Sequence, residues 1–389
     1  MRGASHRGIA AVTLLSLITV WPVLGCCPFC EQQGKTLAKE IAEAKLVVYG
    51  TLANAKINVS ADGTDQSTTD LLIEEVVKEH EFIKDKKKLV LPRYMPNTNE
   101  PVKFLIFCDV YKDKVDPYRG IPSNSKDMVG YLKGAIKLPE KDMVKRLAFF
   151  LPYLDNADTE IAGDAYREFA MADYPDVEAL VKTVETAKLH GKVVSWLKDK
   201  ETAPYRYGFY GMLLGLVGGK EDGAIFHELL EDPERGLITG MDGVMAGYVR
   251  VDKDAGWKYV LGQLRDKELQ YARRYAALRA ARFLWKYQPD ILPRSELMKG
   301  FVALLDQSDL ADLAIDDLRK LKVWSETDTI LALYSKASHQ VPQIRRAILR
   351  YALQAPGEKP KAFIAEAKQK EPKLVEQVEE FLKLELPDQ

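Results

Sequence analysis

Along the second half of the chain, apolar positions follow two periods at once. Within short segments they recur at helical spacing. Between segments, a small residue followed by bulky apolar and basic positions returns at Gly208 (GFYGMLL), Gly243 (GVMAGYV), Ala276 (AALRAAR), Ala314 (AIDDLRK) and Ala347 (AILRYAL), at spacings of 35, 33, 38 and 33 residues. A period in this range predicts stacked helix pairs, because one pair cannot hide its apolar face alone and small residues let neighbouring backbones approach. In residues 271–286, Arg279, Arg282 and Lys286 fall within about 60° of one another on a helical projection, and most of the remaining circumference is apolar. That pattern predicts an inner helix with one wet strip. Residues 310–321 are more plainly amphipathic: Leu310, Leu313, Ala314, Leu318 and Leu321 share a face, and Asp316 sits four residues before Lys320. Further helices are predicted over 126–136, 140–151, 159–171, 177–189 and 192–198, with Asp158 as an N-cap and Pro175 at a helix start. The charged pair 361–370 and 372–384 suits a terminal cap with a polar outer face.

The first third reads differently. A short helix over 31–45 precedes a β-branched run, LVVYGTL at 46–52, which 55–59 continues after a turn. Asp62-Gly63 marks a tight turn. Strands are predicted over 69–77, 88–91 and 102–110, with the charged connector 84–88 between the first two and Pro92, Pro96 and Pro101 bracketing the last loop. About five strands in this length predict a small closed β-barrel. The Pro/Gly/Ser-rich stretch 115–125 reads as a domain boundary.

Two resemblances attach to these segments. YARRYAALRAARFL and VPQIRRAILRYAL resemble HEAT repeats, over roughly residues 204–356. In order along the chain, an N-terminal Cys cluster, VVYGTL, EVVKEH and KFLIFCDV resemble the netrin-like or TIMP-like form of the OB fold, over roughly residues 26–115. Together with the patterns above, the resemblances give an expected multidomain α+β chain: a signal peptide (1–25), a small OB-like β-barrel (26–120), an irregular helical lead-in (121–203) and an all-α, right-handed HEAT-like solenoid with its cap (204–389). The first implies a surface for protein–protein interaction. The second implies metalloprotease inhibition, in which the first Cys of a Cys-x-Cys start chelates the protease's zinc; this chain has Cys26-Cys27-Pro28-Phe29-Cys30 instead.

Composition narrows the function classes. At 47% hydrophobic and 29% charged residues the chain is ordered globular material. A net charge of −1 excludes a general nucleic-acid binder. Arg2 and Arg7 ahead of the apolar stretch 9–23 form a secretion signal, too short to span a membrane comfortably. Export is therefore expected. Val23-Leu24-Gly25-Cys26 resembles a bacterial lipobox, which makes Cys26 either a lipid-attachment residue, anchoring the protein at a membrane, or a plain thiol.

Candidate chemistry concentrates in four cysteines, all N-terminal: Cys26, Cys27, Cys30 and Cys108. An oxidising compartment favours disulfides, and a bond from Cys27 or Cys30 to Cys108 is expected, tying the N-terminus to a strand. Cys27-Pro28-Phe29-Cys30 also has the spacing of a redox pair or half a metal site, although no βαβ pattern surrounds it. Glu31 excludes c-type haem attachment, and Glu231 stands where a zincin's second His would be after His227-Glu228. No catalytic residue and no cofactor are predicted. Arg273, Arg274, Arg279, Arg282, Arg345, Arg346 and Arg350 recur at matching repeat positions. One reading is a ladder with Asp312, Asp316 and Asp317. The other is a basic strip, Arg279, Arg282, Lys286, Arg346 and Arg350, for an acidic partner peptide or polysaccharide. The expected function is a non-catalytic exported scaffold that binds an unidentified protein. The alternatives are a thiol–disulfide or metal-binding protein and a TIMP-like inhibitor.

Overall fold

The structure, a computed structural model, describes residues 27–30, 34–96, 101–112, 114–233 and 239–385. The predicted signal peptide and Cys26 lie outside the described residues. The fold is α+β. Five antiparallel strands, β1 (Leu46–Lys56), β2 (Thr68–Lys78), β3 (Lys88–Leu91), β4 (Lys103–Tyr111) and β5 (Lys114–Pro122), form one sheet in the order β3-β2-β1-β4-β5. The sheet is open, with β3 and β5 at its edges, so the expected barrel closure is not seen. β5 was concealed in the sequence: Pro117, Gly120 and Pro122 read as a boundary, yet an edge strand tolerates proline, and Pro117 pairs in register with Cys108. β1 continues past a register shift between Ala53 and Lys56 and ends at Lys56, so only the first two residues of the segment 55–59 belong to it, and Val59 forms an isolated bridge to Asp65.

Both faces of the sheet are covered. Val47 and Tyr49 of β1, with Leu105 and Phe107 of β4, join the main core shared with the helices. Leu46, Val48, Ile106 and Cys108 alternate to the opposite face and meet Leu71, Ile83, Leu89 and Leu91 in a second, smaller core. Two buried faces explain why LVVY and FLIFC are unbroken apolar runs rather than alternating ones.

Seventeen α-helices lie among the described residues. α1 (Leu37–Glu43) precedes the sheet. After it come α2 (Met128–Ala135), α3 (Met143–Phe150), α4 (Thr159–Ala170), α5 (Tyr174–Val181) and α6 (Thr186–Lys198). The break between α5 and α6 falls at 182–185, earlier than expected, where the Thr183 hydroxyl donates to Leu180 O at 2.8 Å; Gly191 is inside α6. Asp158 caps α4 as predicted, accepting from the backbone N–H of Glu160 and Ile161. The remaining helices are α7 (Tyr207–Val217), α8 (Gly223–Glu231), α9 (Met241–Val251), α10 (Lys253–Arg265), α11 (Tyr271–Tyr287), α12 (Arg294–Ala303), α13 (Ala311–Lys320), α14 (Thr327–Ala332), α15 (Pro342–Gln354), α16 (Glu358–Lys370) and α17 (Pro372–Leu384). The five recurring small residues fall one each on α7, α9, α11, α13 and α15, all buried.

The closest helix pair is α7 with α9. A Cβ at Gly243 would lie 2.1 Å from Gly208 O, one at Gly247 2.3 Å from Gly211 O, and one at Gly215 2.7 Å from Gly247 Cα. The backbones touch where these residues have no side chain. Elsewhere Asp164, fully buried on α4, joins three helices. Its Oδ1 accepts from Leu37 N–H at 2.6 Å and its Oδ2 from the Tyr131 hydroxyl at 2.6 Å, tying α1 and α2 to α4. Burial raises its carboxyl to about 6, against the pull of Tyr131, Leu37 and Arg167.

Two outcomes follow from this packing. Gly243→Ala forces a methyl group into the Gly208 carbonyl and lowers stability by about 1–3 kcal/mol. Gly262→Ala, on α10 where nothing lies within 4 Å, raises it by about 0.5–1 kcal/mol; chemical denaturation of both variants checks the pair. Asp164 binds a proton in the folded chain over a pH range where the unfolded chain has released it. Its contribution is present below the ordinary carboxylate value of about 4 and is lost as pH rises through about 6. Asn at 164 keeps an acceptor for Leu37 and offers a donor to Tyr131. Melting temperatures measured across that window should fall less with rising pH in Asp164→Asn than in the wild type.

Candidate functional site

The sequence places its sharpest chemistry in the Cys27-Pro28-Phe29-Cys30 loop, and the structure seats that loop on the helices. Cys27 and Cys30 form a disulfide with their Cα atoms 5.3 Å apart, and Cys30 N–H donates to Cys27 O at 3.2 Å, closing a tight turn. Cys27 N–H donates to Ala170 O at the end of α4, at 3.2 Å. Phe29 is buried, its ring 4.6 Å from that of Phe283 on α11, which in turn meets Tyr174 edge-on at 4.9 Å. The Phe29 carbonyl lies against Gly208, where a Cβ would stand 2.9 Å from the oxygen. Gly240, at φ +85°, also brings its own backbone against Gly208, its Cα 3.1 Å from where a Gly208 Cβ would stand. Arg279 completes the seat: its Nη2 donates to Pro28 O at 3.1 Å and its Nε pairs with the buried Asp242 at 2.8 Å. A four-residue loop is thus gripped by α4, α7, α9 and α11.

Beside the loop is a cleft of about 250 Å³, lined by Phe29, Cys30, Asp242, Tyr271, Tyr275 and Arg279 among others. Cys30 is partly exposed, whereas Cys27 is buried.

The expected bond to Cys108 is not made. Cys108 is a free thiol in the smaller core, on the face of the sheet turned away from the helices that hold the loop. Strand alternation decides this, since its neighbour Phe107 takes the helix-side position. Burial pushes the Cys108 thiol up to about 12, helped by the carboxylates of Asp116 and Asp109. The same separation leaves the four-thiolate set unassembled, and among the described residues no three His, Cys, Asp or Glu side chains converge to hold a metal. Cys26, the proposed lipid-attachment residue and the residue on which the inhibitor reading rests, lies outside the described residues.

The arginines divide. Arg282 Nε bonds Asp317 at 2.8 Å, Arg350 Nε bonds Asp316 at 3.0 Å, and Arg274 Nη1 bonds Asp309 at 2.8 Å. These pairs are separated by 35, 34 and 35 residues, within the 33–38-residue spacing of the recurring small residues. Asp317 is buried enough that its carboxyl rises to about 6 even with Arg282 beside it. Lys286 and Arg346 are exposed, and the Lys286 ammonium lies 5.0 Å from the Tyr287 ring.

Two residues join this surface that the sequence reading passed over. Tyr271 and Tyr275 share the arc of Arg279, Arg282 and Lys286, all five within about 80° on α11. Their rings stack with centroids 5.7 Å apart and planes 14° from parallel, and Tyr271 is 46% exposed. Tyrosine fits either the apolar circumference or the wet strip, and the helical phase of these two is the signal that places them on the wet one.

The chain matches no known protein family, no curated protein and no solved structure.

Cys108 gives a direct readout of this arrangement. In the native protein it should resist iodoacetamide at neutral pH, and it should react stoichiometrically once denaturant opens the smaller core. Labelling of Cys108 in the native state would show that the sheet's outer face is not sealed.

Proposed function

We propose that this is an exported, non-catalytic binding protein whose helices from residue 204 onward stack as a HEAT-like solenoid and whose partner docks on the exposed face of α11. The division into an N-terminal sheet domain, a helical lead-in and the array belongs to this reading. Small buried residues on every second helix support the stacking, as do arginine–aspartate pairs that bridge one repeat interval. The observation that carries the binding surface is the Tyr271–Tyr275 stack beside Arg279 on a single helical face. Tyrosine and arginine are enriched among the residues that dominate interface energetics, tyrosine because it brings large contact area with few rotatable bonds and arginine because its planar guanidinium offers several donors at once. Here Arg279 is already held by Asp242 and Pro28, so little conformational freedom remains to be lost on binding. Arg279 and Lys286 on this face favour an acidic segment of the partner protein.

Affinity capture from an envelope extract tests the reading when the variant is compared with its parent. Tyr271→Ala/Tyr275→Ala should lose a partner that the wild type retains, with affinity reduced by about 30-fold, equivalent to about 2 kcal/mol. Tyr111→Ala, at a more exposed tyrosine on the sheet, should retain it. Identical capture by all three proteins would remove α11 as the docking face.

A further inference from the structure

The Cys27–Cys30 bond is asymmetric in a way that has chemical consequences. Cys27 is 1% exposed, part of the main core with Phe29 and hydrogen-bonded through its N–H to α4. Cys30 is partly exposed and lines the 250 Å³ cleft, which Cys27 does not. A thiolate must reach a disulfide sulfur along an open path, and the sulfur it reaches decides which cysteine leaves. We propose that Cys30 is the sulfur at which a small, carboxylate-bearing thiol opens this disulfide, and that the cleft between Phe29 and α11 receives that thiol.

The step balances as an exchange. The thiol RSH loses its proton and, as RS⁻, attacks Cys30 Sγ. The Cys30–Cys27 bond breaks with its electron pair on Cys27 Sγ, and Cys27 takes up a proton. The products are a Cys30–S–S–R mixed disulfide and a Cys27 thiol; nothing else is oxidised or reduced. A second RSH attacking the outer sulfur of the mixed disulfide would give RSSR and the free dithiol. Acid quenching protonates the Cys27 thiol and stops it from closing the bond again, so the mixed disulfide at Cys30 is trapped.

The cleft also selects the thiol. Among the described residues that line it, the accessible charge is the Arg279 guanidinium, 43% exposed, while the Asp242 carboxylate is 5% exposed and already paired with that arginine. Tyr271 and Tyr275 supply the aromatic wall. An anionic thiol is attracted to this site, and a cationic one is not.

The test uses the oxidised full-length protein and needs no partner, so it stands or falls apart from the α11 docking reading. The protein is incubated with reduced glutathione, quenched with acid, alkylated and mapped by fragment ions, which also separate Cys26 from Cys27. The expected product carries glutathione on Cys30 and the alkyl tag on Cys27, in excess of the reverse product by about tenfold or more. Glutathione chiefly on Cys27, equal modification of both, or no adduct on native protein under conditions that reduce the unfolded chain would each overturn the proposal. Arg279→Gln supplies the second measurement. It should slow the reaction with glutathione about fivefold relative to the reaction with cysteamine. An unchanged ratio between the two thiols would overturn the anionic preference. Because it is a ratio within one variant, this reading survives any general loosening of the loop.

Discussion

The backbone contact between α7 and α9 is the constraint on which the rest of the helical region depends. Three glycines on one helix meet two on the other at separations that admit no Cβ. That closeness does more than pack two helices. It sets Gly208 and Gly240 side by side, and the surface they form is flat enough for the Phe29 carbonyl to rest on it. With the loop there, Phe29 reaches Phe283, and Pro28 presents its carbonyl to Arg279. A residue early in the chain is thereby fixed to a helix 251 positions later. The disulfide holds the turn, but the glycines make the place where the turn can sit.

Around this centre, buried charge is handled in two ways. Asp164 is surrounded by donors from three elements, and burial still raises its carboxyl to about 6. Two of the arginine–aspartate pairs bridge helices, Arg282 on α11 and Arg350 on α15 each meeting a carboxylate of α13, and Arg274 on α11 reaches Asp309 in the turn before α13, with the guanidinium in each case offering planar donors. Such pairs contribute modestly to net stability because both partners lose water. Their larger effect is on register: a neighbouring helix shifted by one position would leave a partly buried carboxylate without its arginine.

Much of this was legible in the sequence, and the reasons differ by element. The small-residue period located α7, α9, α11, α13 and α15 because close backbone approach demands small side chains and little else does. The strand runs over 46–52 and 102–110 were visible because burial on both faces leaves no polar position. β5 was not visible, since an edge strand can hold prolines that local pattern assigns to a linker. Barrel closure was expected from strand count alone, and a count carries no information about which edges meet. The disulfide partner was misjudged for a related reason. Pairing depends on which face of β4 Cys108 occupies, and a one-residue difference in alternation reverses it. The site's tyrosines were hidden by their own chemistry, for an amphipathic ring satisfies a core position and a surface position equally well.

The prolines of β5 have a second meaning. An open sheet presents a row of unsatisfied N–H and C=O groups at each edge, which is a template for the addition of another chain. Here one edge, β3, is only four residues long and begins with Lys88, which pairs with Asp70 across the strand. The other contains Pro117 and Pro122, neither of which has an N–H, and a register shift between Phe107 and Cys108 beside it. The sheet is thus short-edged on one side and interrupted on the other. A chain with this much apolar strand sequence would otherwise aggregate through edge-to-edge pairing, and these irregularities keep the open sheet from growing.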